Sequence, residues 1–113
     1  MCGVGVLIGA FGAHGLRDRV TADMLAVFET GVRYHLIHGL GVLAVSWAAS
    51  RWPSAWVGAS GWLFIAGIVF FSGSLYLLAI TGTRWLGAIT PIGGVCFLVG
   101  WAALAAGALR GSP

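Results

Sequence analysis

The side chains best suited to chemistry in this chain gather in a few short stretches. Tyr34, His35 and His38 lie within one turn and a half of a helix. His35 and His38 are three apart and Tyr34 and His38 four apart, so each pair shares a helical face. Glu29 precedes Arg33 by four positions, the favoured acid-then-base order. Downstream, Ser72 and Tyr76 fall on one face, with Ser74 between them, and Thr90 stands just before Pro91. His14 lies upstream. Three histidines with a nearby glutamate could ligate a metal, bind haem, relay protons or hold a quinone headgroup. A His-x-x-His pair is a low-specificity metal signal, because nothing in the spacing fixes a third ligand. The plainer reading is that the histidines and the hydroxyls of Ser72, Ser74 and Thr90 hydrogen-bond between helices. On that reading Glu29–Arg33 is an exposed ion pair worth under ~1 kcal/mol, and His14 is a solvated loop residue.

The elements that carry these residues are set by composition. Of 113 residues, 59% are hydrophobic and 8% charged, and mean hydropathy is +0.98. A water-soluble domain of this size carries roughly a quarter charged residues, because small globules expose most of their surface. The solvent for most of this chain is therefore lipid. There is no lysine, and the net charge of +3 is spread thinly, which excludes the basic stripe of a nucleic-acid binder. Cys2 and Cys96 lie in apolar runs without metal-ligand spacing and read as small packing residues.

Residues 52–83 and 85–109 carry no formal charge. A membrane crossing needs about 20 apolar residues, so both stretches supply a span, joined by the short Thr81–Arg84 loop. A third runs over 32–50 and stops at Ser50-Arg51-Trp52-Pro53, where proline ends the helix. Its helix is expected to begin earlier, with Thr21 as N-cap and Asp23 in the first turn. The apolar residues 1–14 are short for a crossing, since a helix rises only ~1.5 Å per residue. The fold expected is an all-α membrane protein, an up-down bundle of four transmembrane helices with the first shortened at its N-terminus. The spans are 1–14, 32–50, 55–80 and 86–109, with a polar loop or surface helix over 15–31, forming one domain.

Folding the spans up and down places His14, the start of span two, the end of span three and Thr90 on one side. The uncommon polar residues should then converge near that membrane face. Pro91 is expected to free a carbonyl near Gly87, and Gly93-Gly94 to admit a neighbouring backbone. Gly5, Gly9 and Ala13 form a small-residue stripe on span one. Trp47, Trp52, Trp56 and Trp85 read as interface anchors, and Trp62 and Trp101 as packed between helices.

Four motifs in order, Gly9-Ala-Phe-Gly-Ala-His14-Gly, Glu29-Thr-Gly-Val-Arg-Tyr34-His35-Leu-Ile-His38, Phe71-Ser-Gly-Ser-Leu-Tyr76 and Thr90-Pro-Ile-Gly-Gly94-Val, resemble the domain of unknown function 423 family. That family includes the transmembrane protein 256-like proteins. The resemblance covers nearly the whole chain. It implies a four-helix protein of a bacterial inner membrane or of mitochondria, and it implies no reaction. Relatives begin with roughly another half-helix ahead of the first motif, so the first span is expected to lack its upstream turns.

The leading functional expectation is a non-catalytic, multi-pass component of the bacterial cytoplasmic membrane. It would pack in the lipid bilayer against partner membrane proteins or further copies of itself, without nucleic acid. The alternatives are a redox or proton-handling subunit whose His/Tyr cluster binds quinone, haem or metal, and a small transporter or channel formed by several copies. Orientation stays open. Arg17, Arg19, Arg33 and Arg84 on one side against Arg51 and Arg110 on the other favour one polarity, and the family pattern favours the reverse.

Overall fold

The structure, a computed structural model, describes residues 2–16 and 18–111. Met1 and Arg17, assigned above to the first span and to the arginine balance, lie outside the described residues. The described residues form four helices and no strand. Helix α1 (Cys2–Phe11) continues into a wider π-wound turn, Gly12–Leu16. Helix α2 (Ala22–Arg51) starts at Thr21, whose Oγ1 accepts the Met24 N–H at 3.2 Å. Asp23 lies in its first turn and Arg51 in its last, complementing the helix dipole at both ends. Thr21 and Asp23 thus act as the sequence indicates.

Helix α3 (Ala55–Thr81) is capped by Ser54, whose Oγ accepts the Val57 N–H at 3.2 Å. It consists of Ala55–Gly67, a π-wound turn over Ile68–Ser72, and Gly73–Thr81. It ends at Gly82, whose φ of 70° is left-handed and which returns its N–H to the Leu78 carbonyl at 2.8 Å. A 3₁₀ turn (Arg84–Ala88) leads into helix α4 (Thr90–Gly111). Pro91 therefore sits in the first turn of α4, where no intrahelical partner is lost. The expectation of a carbonyl freed by Pro91 inside a span is corrected: Gly87 belongs to the preceding 3₁₀ turn.

The molecule is flattened, 54 × 26 × 14 Å. Helix α3 lies between α2 and α4 and packs most extensively on α4, while α1 leans on α2. Gly5 and Gly9 face α2, where an added Cβ would come within 2.8 Å of Leu36 and 3.2 Å of Val32 respectively. The backbones of α3 and α4 come closest at Gly93. A methyl there would lie 2.6 Å from Phe71 Cβ and 2.7 Å from its Cα, so only glycine admits this approach. One core cluster, Val45, Ala48, Val57, Phe64, Ile68 and Phe97, joins α2, α3 and α4. A smaller one, Leu16, Phe28 and Ala79, ties the end of the π-wound turn after α1 to the start of α2 and the end of α3.

The outside is apolar. Leu7, Leu43, Trp62, Leu98 and Leu109 are each more than 65% exposed, and patches of that kind are rare on water-soluble monomers. Trp62, expected between helices, is 74% exposed and faces outward. Two segments, Ala55–Thr81 and Arg84–Arg110, are long and apolar enough to cross a membrane, with hydropathies of 2.3 and 2.0. Helix α2 falls outside that pair because Arg33, Tyr34, His35 and His38 lower its mean, although both histidines are buried. In lipid the helices gain little hydrophobic free energy by meeting, so dispersion contacts and polar pairs must hold them.

Candidate functional site

His38 is 4% exposed and both its ring nitrogens are engaged. Nδ1 lies 2.9 Å from the Tyr34 carbonyl oxygen, and a carbonyl can only accept, so Nδ1 donates. Trp101 Nε1 lies 3.0 Å from His38 Nε2, and an indole N–H can only donate, so Nε2 accepts. The two partners together assign the neutral Nδ1–H tautomer. The ring stacks on Phe97 at 3.6 Å and 12°, with Phe64 edge-on at 5.4 Å. To bind a metal or a second proton, His38 would have to give up Trp101.

His35, also buried, points elsewhere. Its Nδ1 lies 2.9 Å from the Tyr76 hydroxyl, joining α2 to α3. Beside it, Ser72 Oγ donates to the Gly31 carbonyl at 2.6 Å. Gly31 makes room for this contact, since a Cβ there would sit 2.9 Å from the Tyr76 ring. Ser74 Oγ lies 2.6 Å from Thr90 Oγ1 and 2.9 Å from the Phe71 carbonyl. One hydrogen bond joins the two hydroxyls, each of which also has a carbonyl of its own helix turn within reach, Phe71 for Ser74 and Leu86 for Thr90, clasping α3 to α4.

The cluster read from the sequence is therefore split. His35 and His38 share a face by spacing but serve different neighbours: His35 with Tyr76 on α3, His38 with Trp101 on α4. At ~1.5 Å per residue, His38 is about 24 Å along α2, near its middle, level with Phe64 and Trp101. His14 is exposed in the π-wound turn after α1 and joins neither group. Glu29 and Arg33 are both exposed and form no ion pair. Among the described residues no group of three His, Cys, Asp or Glu side chains could hold a metal. The sequence reading passed over Gly31 and gave Phe64, Phe97 and Trp101 no part in the site. Trp101 carried a usable signal, because an indole N–H in the middle of an apolar helix must find an acceptor.

Between α2 and α4 the same residues wall a groove of about 480 Å³, lined chiefly by Tyr34, His38, Phe71, Phe97, Leu98 and Trp101. Tyr34 stands 4.6 Å from Phe71 and 6.1 Å from His38, ring centroid to centroid.

Comparison with known proteins agrees with this helical, lipid-facing architecture. Residues 8–94 match the family described as Protein of unknown function (DUF423). A UPF0382 membrane protein of Staphylococcus saprophyticus is 53% identical over 102 residues, covering 90% of this chain and 84% of that protein. The UPF0382 membrane protein YwdK of Bacillus subtilis is 46% identical over 104 residues, 91% of this chain and 85% of its own. The UPF0382 inner membrane protein YgdD of Escherichia coli K12 is 42% identical over 105 residues, 93% and 80% respectively. No solved structure matches the chain. With the family model spanning most of its length and relatives this similar named for the membrane they occupy, the chain belongs to the DUF423 family of bacterial membrane proteins.

Proposed function

We propose that this protein is a four-span, non-catalytic bundle that works as a structural or assembly component, packing against partner membrane proteins or further copies of itself. One observation carries the reading. Each buried polar side chain of the candidate cluster bonds across to another helix: His35 to Tyr76, His38 to Trp101, Ser72 to Gly31 and Ser74 to Thr90. Groups spent in this way fix helix positions and are not poised to attack or shuttle. The relatives named above carry no enzyme name, which is in keeping with it.

Replacing His35 and His38 together by asparagine, in protein purified in mild detergent, tests the structural role. The expected result is a clear fall in melting temperature. A variant that keeps its melting temperature but loses a bound metal or small molecule overturns the reading. Cross-linking in native membranes should give a discrete adduct, with itself or with one partner, whereas a purely monomeric band contradicts the assembly role. For the four spans, single cysteines at Ser54 and Thr83, with Cys2 and Cys96 replaced by alanine, should react with impermeant reagents from opposite sides. His14→Cys should label with Thr83→Cys. Labelling of all three from one side refutes the topology.

A further inference from the structure

His38 is tied to α4 by a hydrogen bond that a proton would abolish. Its Nε2 accepts the Trp101 indole N–H at 3.0 Å, and its Nδ1–H donates to the Tyr34 carbonyl at 2.9 Å. A further proton on this ring can go only to Nε2, which then becomes a donor facing a second donor, since the indole nitrogen cannot accept. The proton and Trp101 compete for one lone pair.

The surroundings give a charged ring nothing to pair with. On α2 the titratable group facing His38 is Tyr34, stacked at 6.1 Å between ring centroids. From α3 the ring meets Phe64 at 5.4 Å, and from α4 it meets Phe97 at 3.6 Å and Trp101 at 5.8 Å. None of these carries a charge. Helices α3 and α4 contain no acidic residue, and Glu29 and Arg33 on α2 are exposed. His35, on the same helix, turns to Tyr76 instead. An imidazolium here would be an unpaired charge in apolar surroundings, and stacking on Phe97 offsets only part of that cost.

Space for relief lies alongside. The groove of about 480 Å³ borders His38 and Trp101 at one end and reaches Pro91, in the first turn of α4, at the other. It gives water a path of about 15 Å, at ~1.5 Å per residue of α4, to a ring that is otherwise buried. Because α3 lies between them, α2 and α4 touch each other directly over a short stretch only.

We propose that the His38–Trp101 bond is a proton-operated latch between α2 and α4. One proton, delivered from water along the groove, bonds to His38 Nε2; the Trp101 N–H keeps its hydrogen and loses its acceptor, and α4 loosens from α2 at mid-helix. Such a switch needs a histidine, whose charge changes near physiological pH, and an element that its charge biases. The latch rests on the structural reading of His38 given above and adds its regulation.

The test uses the full chain in phospholipid nanodiscs, with Cys2 and Cys96 replaced by alanine and spin labels on Leu40→Cys and Val99→Cys, lipid-exposed positions outside the groove lining. Their separation is read by pulsed electron resonance from about pH 8 to about pH 4.5, across the ordinary histidine range. A longer and broader distance in acid, reversed on neutralisation, is expected. His38→Gln offers an acceptor that does not titrate, and His38→Phe keeps the ring stack without a titrating group, so neither should respond to acid. A parent protein that does not respond, or an equal response in both variants, overturns the latch. Melting of Trp101→Phe at about pH 8 keeps the two readings apart: destabilisation there beside an acid-insensitive parent removes the latch alone, and no destabilisation removes the structural role with it.

Discussion

Removing the Trp101–His38 bond one partner at a time, and then both together, isolates the contact that joins α2 to α4. Trp101→Phe deletes the indole N–H and strands His38 Nε2, a buried acceptor held in place by the Tyr34 carbonyl on its other nitrogen. Stranding such a group costs about 1–3 kcal/mol. Interhelical bonds in bilayers contribute less, about 0.6 and at most about 1.7 kcal/mol, because the membrane-inserted unfolded state finds partners of its own. The smaller range governs the coupling, and the larger bounds the single substitution. Trp101→Phe should therefore destabilise by roughly 1–2 kcal/mol, part of it lost contact with Phe64, whose ring lies 4.7 Å away. His38→Phe keeps the stack on Phe97. The double variant restores an apolar pair, so it should be more stable than the sum of the single losses by about 0.6–1.7 kcal/mol. Reversible unfolding in bicelles, followed by a steric-trap or fluorescence readout, gives all four free energies. Additivity within about 0.3–0.5 kcal/mol, the scatter of independent sites, would refute the assigned tautomer and the bond with it.

Gly93→Ala should lower the melting temperature markedly, by about 1–3 kcal/mol of overpacking, because the new methyl meets Phe71 backbone at 2.7 Å. Gly94→Ala, whose nearest neighbour would be 3.9 Å away, should be nearly silent, and equal effects at the two positions would contradict the α3–α4 register. Tyr76→Phe should cost about 0.6–1.7 kcal/mol through loss of the His35 bond. Gly82→Ala should destabilise by about 1–2 kcal/mol from left-handed strain, measured in the same unfolding assay, with Gly82→Asn milder than alanine.

Much of the frame was legible because it depends on local rules. Thr21 and Asp23 announced the start of α2, Gly5 and Gly9 the face that α1 turns to α2, and Gly93 the close approach of two backbones. The polar cluster was legible only in part: His35, His38, Ser72, Ser74, Tyr76 and Thr90 make contacts between helices, while His14, Glu29 and Arg33 stay outside. Spacing tells which residues share a face; it does not tell which of two neighbouring helices each one meets, and His35 and His38 divide between α3 and α4. Trp62 and Trp101 look alike in sequence, two tryptophans within apolar runs. Only the rotation of α3 and α4 decides that one faces outward and the other meets His38.

The π-wound turn over Ile68–Ser72 has a consequence for the chain's tolerance of length change. A wider turn takes more residues to complete one rotation than an α-helix does, so everything after it is rephased about the helix axis. Ser72 and Tyr76 meet α2 and Ser74 meets α4 only with that offset in place. Deleting one residue between Ile68 and Ser72 would let the turn rewind as α-helix, at about 100° per residue, and keep Ser74 and Tyr76 nearly in phase, whereas inserting one there would swing both and part the two clasps. A deletion in α3 near its start, before Val57, would leave that phase intact.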